Sequence, residues 1–116
     1  MEIKRYESTG RMSRAVVCNG TIYLCGQTCG DREGVIEQTK GCLEKVEALL
    51  DQYGSDKYHI LSTTIYLKDM SLFEEMNSVW DAWVEEGYEP ARACVEAKLA
   101  REHILVELSV IAALKE

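Results

Sequence analysis

The chain has two histidines, few basic residues and no long apolar run, and each shortage removes a class of function. A membrane span needs roughly 18 or more consecutive apolar residues, and nothing here approaches that. The two histidines, His59 and His103, show no evident pairing with a serine or cysteine, and no GxSxG element occurs, so a Ser-His-Asp or Cys-His nucleophile is not indicated. Basic residues are also scarce: 13 Lys and Arg against 20 Asp and Glu leave a formal net charge of −7. That balance opposes non-specific nucleic-acid binding, which needs basic surface to displace counterions, although Lys4, Arg5, Arg11 and Arg14 cluster near the start.

Cysteine is present, five times, but the odd number fits a reducing cytoplasm better than a disulfide framework. Cys18, Cys25, Cys29 and Cys42 form no paired CxxC units, so no zinc site or other metal is expected. The first residues, Met1 to Tyr6, contain no apolar signal region, so secretion is not expected. At 116 residues with 47% apolar side chains, the length and composition predict one domain over 1–116 with a real core.

Periodicity gives an alternating order of elements. Residues 14–18 and 21–26 are β-rich and separated by Asn19-Gly20, a strong hairpin signal, with a weaker strand over 1–7. Residues 30–34 read as a loop. Ile36, Thr39, Leu43, Val46, Leu50 and Tyr53 then follow helical spacing until Gly54, with Gly41 tolerated inside, as close packing on a sheet would explain. A long strand over 58–67 follows. Ser71 and Glu74 form a capping box opening a second helix that Gly87 stops, and strands over 92–99 and 104–113 complete the pattern. The predicted order is β-β-β-α-β-α-β-β, an α+β mixed sheet with two helices on one face. In the last strand both faces are largely apolar, and two helices cover only one. A second copy of the chain is the expected cover for the other, against the alternative of a partly exposed apolar face.

The residues with most chemical content are Arg92, Cys94 and Glu107. Arg92 stands next but one to the single proline, Pro90, at the start of a strand; its planar fork suits a carboxylate. Glu107 has apolar neighbours along its strand, where an unpaired carboxylate is costly. Two readings stand. Arg92 anchors a substrate carboxylate while Glu107 acts as acid, base or water-orienting group, or the two form an interfacial ion pair. Cys94 lies on the same strand face as Arg92 and Glu96, with no activating base, and reads as a buried or pocket-lining thiol whose backbone dipoles could hold water or an oxyanion. Asn77 interrupts the apolar stripe of the second helix, either tying it to a neighbouring backbone or facing a ligand. Gly26-Gln27 is too short for a phosphate-binding motif.

The segments Tyr23-Leu24-Cys25-Gly26-Gln27, Leu67-Lys68-Asp69 before Phe73, Met76-Asn77, Pro90-Ala91-Arg92-Ala93-Cys94-Val95 and Val106-Glu107-Leu108 fall in an order that resembles the RidA (YjgF, endoribonuclease L-PSP) family over nearly the whole chain. The stretch from Met76 to Trp83 looks like a divergent branch. The resemblance implies a chorismate-mutase-like fold assembled as a homotrimer, with intersubunit clefts that hydrolyse 2-imino or enamine acids to 2-keto acids and ammonia without metal or organic cofactor. It implies that Arg92 binds the substrate carboxylate, that Glu107 holds the attacking water, and that Cys94, Asn77, Cys25 and Gly26 line the site. A non-catalytic small-carboxylate-binding or regulatory protein of the same fold is the alternative. Two departures change the pocket mouth: Met12-Ser13 stands where deaminases carry a Tyr, and Cys25 where they carry a Ser.

Overall fold

The structure, a computed structural model, describes residues 1–116. Eight principal elements follow one another: β1 (Ile3–Ser8), β2 (Ser13–Cys18), β3 (Thr21–Leu24), α1 (Gly34–Gln52), β4 (Ile60–Leu67), α2 (Phe73–Trp83), β5 (Ala91–Glu96) and β6 (Val106–Ala113). The strands form one six-stranded sheet in the order β1-β2-β3-β6-β4-β5. Only β4 and β5 run parallel, with α2 in the crossover between them, so the sheet is mixed. This is the α+β order expected from the periodicity.

The β2–β3 hairpin closes through Asn19 and Gly20, whose φ angles of 53° and 74° are those a tight two-residue turn demands. In β6, Val106, Leu108, Val110 and Ala112 are buried and face the helices, and the register places Leu67, Ile65 and Thr63 of β4 opposite the first three. On α1, Thr39, Leu43, Val46 and Leu50 supply the other side of this core. Each fully buried aliphatic chain there contributes roughly 1.5–3 kcal/mol. The opposite sheet face, carrying Leu105, Glu107, Ser109, Ile111 and Ala113, has no helix over it and stays half-buried. No helix is long and apolar enough to cross a membrane.

Several boundaries move. The helix-opening signal at Ser71 is not a cap: Asp69 takes that place, its Oδ1 accepting the Ser71 N–H at 2.8 Å in a short 3₁₀ turn before α2. That helix ends at Trp83 rather than near Gly87, because Val84 turns extended and Lys57 Nζ donates to the Trp83 carbonyl at 3.0 Å. The strand expected from residue 58 starts at Ile60, after a 3₁₀ turn capped by Asp56. The strand expected over 92–99 stops at Glu96, and its partner starts at Val106 rather than 104, so residues 97–105 form a loop. Gly41 is explained by something other than the sheet. A Cβ there would overlap Cys29 Sγ and sit 2.8 Å from Cys29 Cβ, so the loop before α1, not a strand, needs the gap.

Candidate functional site

Glu107 is the second residue of β6, on the open face and directly across from Tyr66 of β4. Just beyond β3, the chain crosses β6 through paired backbone bonds, Gln27 N–H to Leu108 O at 2.8 Å and Leu108 N–H to Gln27 O at 3.0 Å. The buried Gln27 side chain donates to Cys25 O at 3.0 Å and reaches Cys25 Sγ at 3.2 Å, fixing the turn. That stitching lays Gly26 on the Glu107 carboxylate so closely that a Cβ would overlap Oε2 and come within 2.9 Å of Cδ. Gly26 does not have a positive φ, so the close approach, not backbone freedom, demands glycine.

Around this carboxylate lies a cleft of about 330 Å³ lined by Gly26, Tyr66, Ala97, Lys98, Leu99, Glu107 and Ser109. Its outer wall is the loop after β5. Gln38 of α1 braces that loop: its Nε2 donates to His103 O at 3.0 Å and its Oε1 accepts the Leu105 N–H at 2.9 Å. Glu107 itself forms no ion pair within the chain, although it is only partly exposed. A larger hollow of about 530 Å³ lies between α1 and α2, where Lys40 and Glu44 are already paired, with Glu37 and Arg32, and Glu47 alone is left without a partner. The Glu107 cleft instead holds two unpaired groups of opposite sign, Glu107 and Lys98.

Arg92 occupies different ground. It is the second residue of β5, an edge strand beginning directly after Pro90. The register pairs Arg92 with Thr63 and Cys94 with Ile65, so both side chains point to the helix-covered face. The guanidinium lies over the Trp80 ring of α2, 5.3 Å from its centroid, and has no carboxylate partner in the chain. Cation–π stacking of this kind holds an arginine in place while leaving its N–H fork free. Ala97 N–H donates to Leu67 O, so the odd-numbered residues of β5 turn towards β4. The N–H and C=O groups of Arg92, Cys94 and Glu96 therefore point out of the free edge. Burial pushes the Cys94 thiol above its ordinary pKa, and the neighbouring Arg92 charge offsets this only in part. Such a thiol stays protonated near neutrality, so the backbone rather than the sulfur is the available group at Cys94. Asn77 is one turn before Trp80 on α2, and its Oδ1 is buried without a hydrogen-bond partner; the backbone tie expected for it does not form within the chain.

The candidate residues thus fall into two separate groups on the chain. Cys25, Gly26 and Glu107 share the open face, whereas Arg92, Cys94 and the α2 residues Asn77 and Trp80 belong to the other side at the β5 edge. Arg92 and Glu107 do not meet within one chain, and no ion pair joins them. The exposed early loop carries Met12, well outside this cleft's lining. Tyr66, Trp80, Lys98 and Ser109 went unnoticed in the sequence. Tyr66 and Trp80 sit in apolar periodic runs that read as core, and Lys98 reads as a strand residue until the strand is seen to end at Glu96. No group of three or more His, Cys, Asp or Glu side chains gathers as a metal site.

Comparison with known proteins gives a consistent picture. The family model described as endoribonuclease L-PSP matches residues 2–114. The RutC family protein YoaB of Escherichia coli is 38% identical over 113 residues, covering 97% of this chain and 99% of that protein. A RutC family protein of Haemophilus influenzae is 39% identical over 114 residues, covering 97% and 98%. Among solved structures, a YjgF family member from Neisseria meningitidis superposes with a TM-score of 0.97 at 46% identity, over 100% of this chain and 98% of that one. A Yersinia pestis protein of unknown function in the Rid family gives a TM-score of 0.84 at 29% identity, covering 92% and 90%. A match over nearly every residue, with the same two-helix, six-strand architecture, leaves one assignment: the chain belongs to the endoribonuclease L-PSP family, the RidA/YjgF proteins.

Proposed function

We propose that the protein hydrolyses reactive 2-imino or enamine acids to 2-keto acids and ammonia, in clefts formed between copies of the chain in a homotrimer. The observation that carries this reading is the separation of two unpaired, partly buried charges, Arg92 at a free strand edge and Glu107 on an uncovered sheet face. Neither has an intrachain partner, and desolvated charges that are left idle are costly. A second copy whose open sheet face meets the β5 edge brings them to one cleft. The half-buried Leu105 and Ile111 and the exposed Tyr23 and Val95 give that contact its apolar character.

In such a cleft the Arg92 fork and the outward Cys94 N–H grip the substrate carboxylate, fixing the imine carbon. Glu107, set against Gly26, accepts a proton from water as the water oxygen bonds to that carbon. The C=N π pair moves to nitrogen, which takes that proton back to give a neutral carbinolamine. Glu107 then accepts the carbinolamine hydroxyl proton and passes it to nitrogen, so that the C–N bond breaks and ammonia leaves as the C=O forms. Water supplies the oxygen, and nothing is oxidised or reduced. An imine is already electrophilic, so positioned water and one proton carrier suffice.

The test is ammonia release from freshly generated 2-iminopropanoate or 2-iminobutanoate. We expect turnover above solvent hydrolysis, abolished in Arg92→Ala and reduced by roughly 10²–10⁴ in Glu107→Ala. No wild-type turnover across several imino acids, with 2-keto acids still stabilising the fold in an Arg92-dependent way, would reassign the site to carboxylate binding alone.

A further inference from the structure

The Glu107 cleft carries more hydrogen-bond donors than a monocarboxylic imine can use. Lys98, Tyr66 and Ser109 line it together with Gly26, and none of the three side chains has a hydrogen-bond or ion-pair partner within the chain. Lys98 in particular is not bridged to Glu107, even though both line the same small space. A lysine ammonium has three donors and no acceptor, so once a neighbouring copy closes over the cleft the exposed Lys98 calls for an anion. Glu107 lies against the backbone of Gly26, and in the proposed hydrolysis it is committed to the attacking water. If Arg92 of a neighbouring copy takes the carboxylate next to the reacting carbon, the cleft still holds one uncommitted cation and two uncommitted hydroxyls. The volume of about 330 Å³ also leaves room for a chain of four or five carbons.

We infer that the ligand of this cleft is a dianion, and that Lys98 grips a second carboxylate at its far end. The substrate class is then the 2-imino dicarboxylates, the imines of acidic amino acids, hydrolysed with one water to the 2-keto diacid and ammonia. Tyr66 and Ser109 give that distal carboxylate neutral donors beside the ammonium. Beside Lys98, the Ala97 N–H donates to Leu67 O at 2.9 Å, and Gln38 braces the far end of the loop of residues 97–105. Selection of this kind works because a shorter or neutral substrate leaves the cation and hydroxyls unpaired. The inference rests on the imine-hydrolysis reading for its chemistry and on the shared cleft, not on turnover, for its charge argument.

The experiment uses the intact wild-type protein with imines made in place by an amino-acid oxidase, from an acidic amino acid and from alanine. We expect kcat/KM for the dicarboxylic imine to exceed that for 2-iminopropanoate by about tenfold or more at low salt, the preference shrinking as ionic strength rises. Lys98→Gln should collapse the ratio towards one, and Lys98→Arg should restore most of it. Lys98 is exposed and unbonded in the chain, so both variants should fold, and a matching melting temperature confirms it. A wild type that prefers the monocarboxylic imine, or a Lys98→Gln variant that lowers both rates equally, overturns the inference while leaving imine hydrolysis standing. If no imine is turned over, hydrolysis fails, and calorimetry with glutarate against butyrate decides: Lys98-dependent preference for glutarate upholds the dianion site, and equal binding removes it.

Discussion

Replacing Gly26 with alanine is the sharpest way to move Glu107 without touching it. The added Cβ would overlap Oε2 and lie 2.9 Å from Cδ and 3.3 Å from Cγ of that residue, and it would meet nothing closer. These are the far atoms of a flexible side chain, so the fold can absorb the methyl by rotating the carboxylate away. Overpacking of a rigid core costs about 1–3 kcal/mol, but here the reduced freedom of the unfolded chain returns about 0.4–1 kcal/mol. The net loss should be about 1 kcal/mol or less, a melting shift of no more than roughly 4–8 °C by differential scanning calorimetry. Activity should fall much further, by about 10² or more, because proton transfer depends on the carboxylate's place. The decisive comparison is a cycle with Glu107→Ala. If the methyl acts through Glu107, the double variant should match Glu107→Ala within about twofold, since the second change has nothing left to displace. Full activity in Gly26→Ala, or a double variant far below Glu107→Ala, would refute the reasoning.

Other expectations follow from the same geometry. Trp80→Phe should keep a ring beneath Arg92 and most of the activity, whereas Trp80→Leu should raise KM about tenfold by freeing the guanidinium, as steady-state kinetics would show. Gly41→Ala, although worth about 1 kcal/mol in helix propensity, should destabilise the protein in urea by roughly 1–2 kcal/mol because its Cβ meets Cys29. Burial pushes the Cys42 thiol up to about 12. Cys42 should therefore resist alkylation at pH 8, where the half-exposed Cys18 and Cys25 react, as mass spectrometry would read. Its folded pKa is raised, so its contribution is fully present below the unfolded thiol's value and is lost as pH climbs from about 9 towards 12, at most on the order of 4 kcal/mol. A Cys42→Ala variant should flatten that alkaline decline, provided its own cavity cost is subtracted at pH 7.

Much of this architecture was legible in the chain because local signals agreed with the global fold. Asn19-Gly20 gave the hairpin, the Thr39-Leu43-Val46-Leu50 spacing gave the buried stripe of α1, and alternation in β6 separated Val106 and Leu108 from Glu107. Alternation also put Arg92 and Cys94 on a common face. What it could not supply was the face of β5 relative to β6, since that depends on the register of each with β4, a tertiary fact. The end of α2 was hidden for a similar reason: a lysine 26 residues away, Lys57, claims the Trp83 carbonyl before Gly87 is reached. The end of β5 at Glu96, where its carboxylate accepts the Met70 N–H at 2.8 Å, is what releases Lys98 to the cleft.

The claim that matters most is that each working site takes Arg92 from one copy and Glu107 from another. Subunit mixing tests it directly: Arg92→Ala and Glu107→Ala are each purified, unfolded together in equal amounts and refolded, and ammonia release is compared with either variant alone. With random assembly into closed rings, about one quarter of the clefts should pair an intact Arg92 with an intact Glu107, restoring about one quarter of wild-type activity. Mixed assemblies that form, as native mass spectrometry would verify, yet recover no activity would contradict a shared site and place the chemistry elsewhere on the chain.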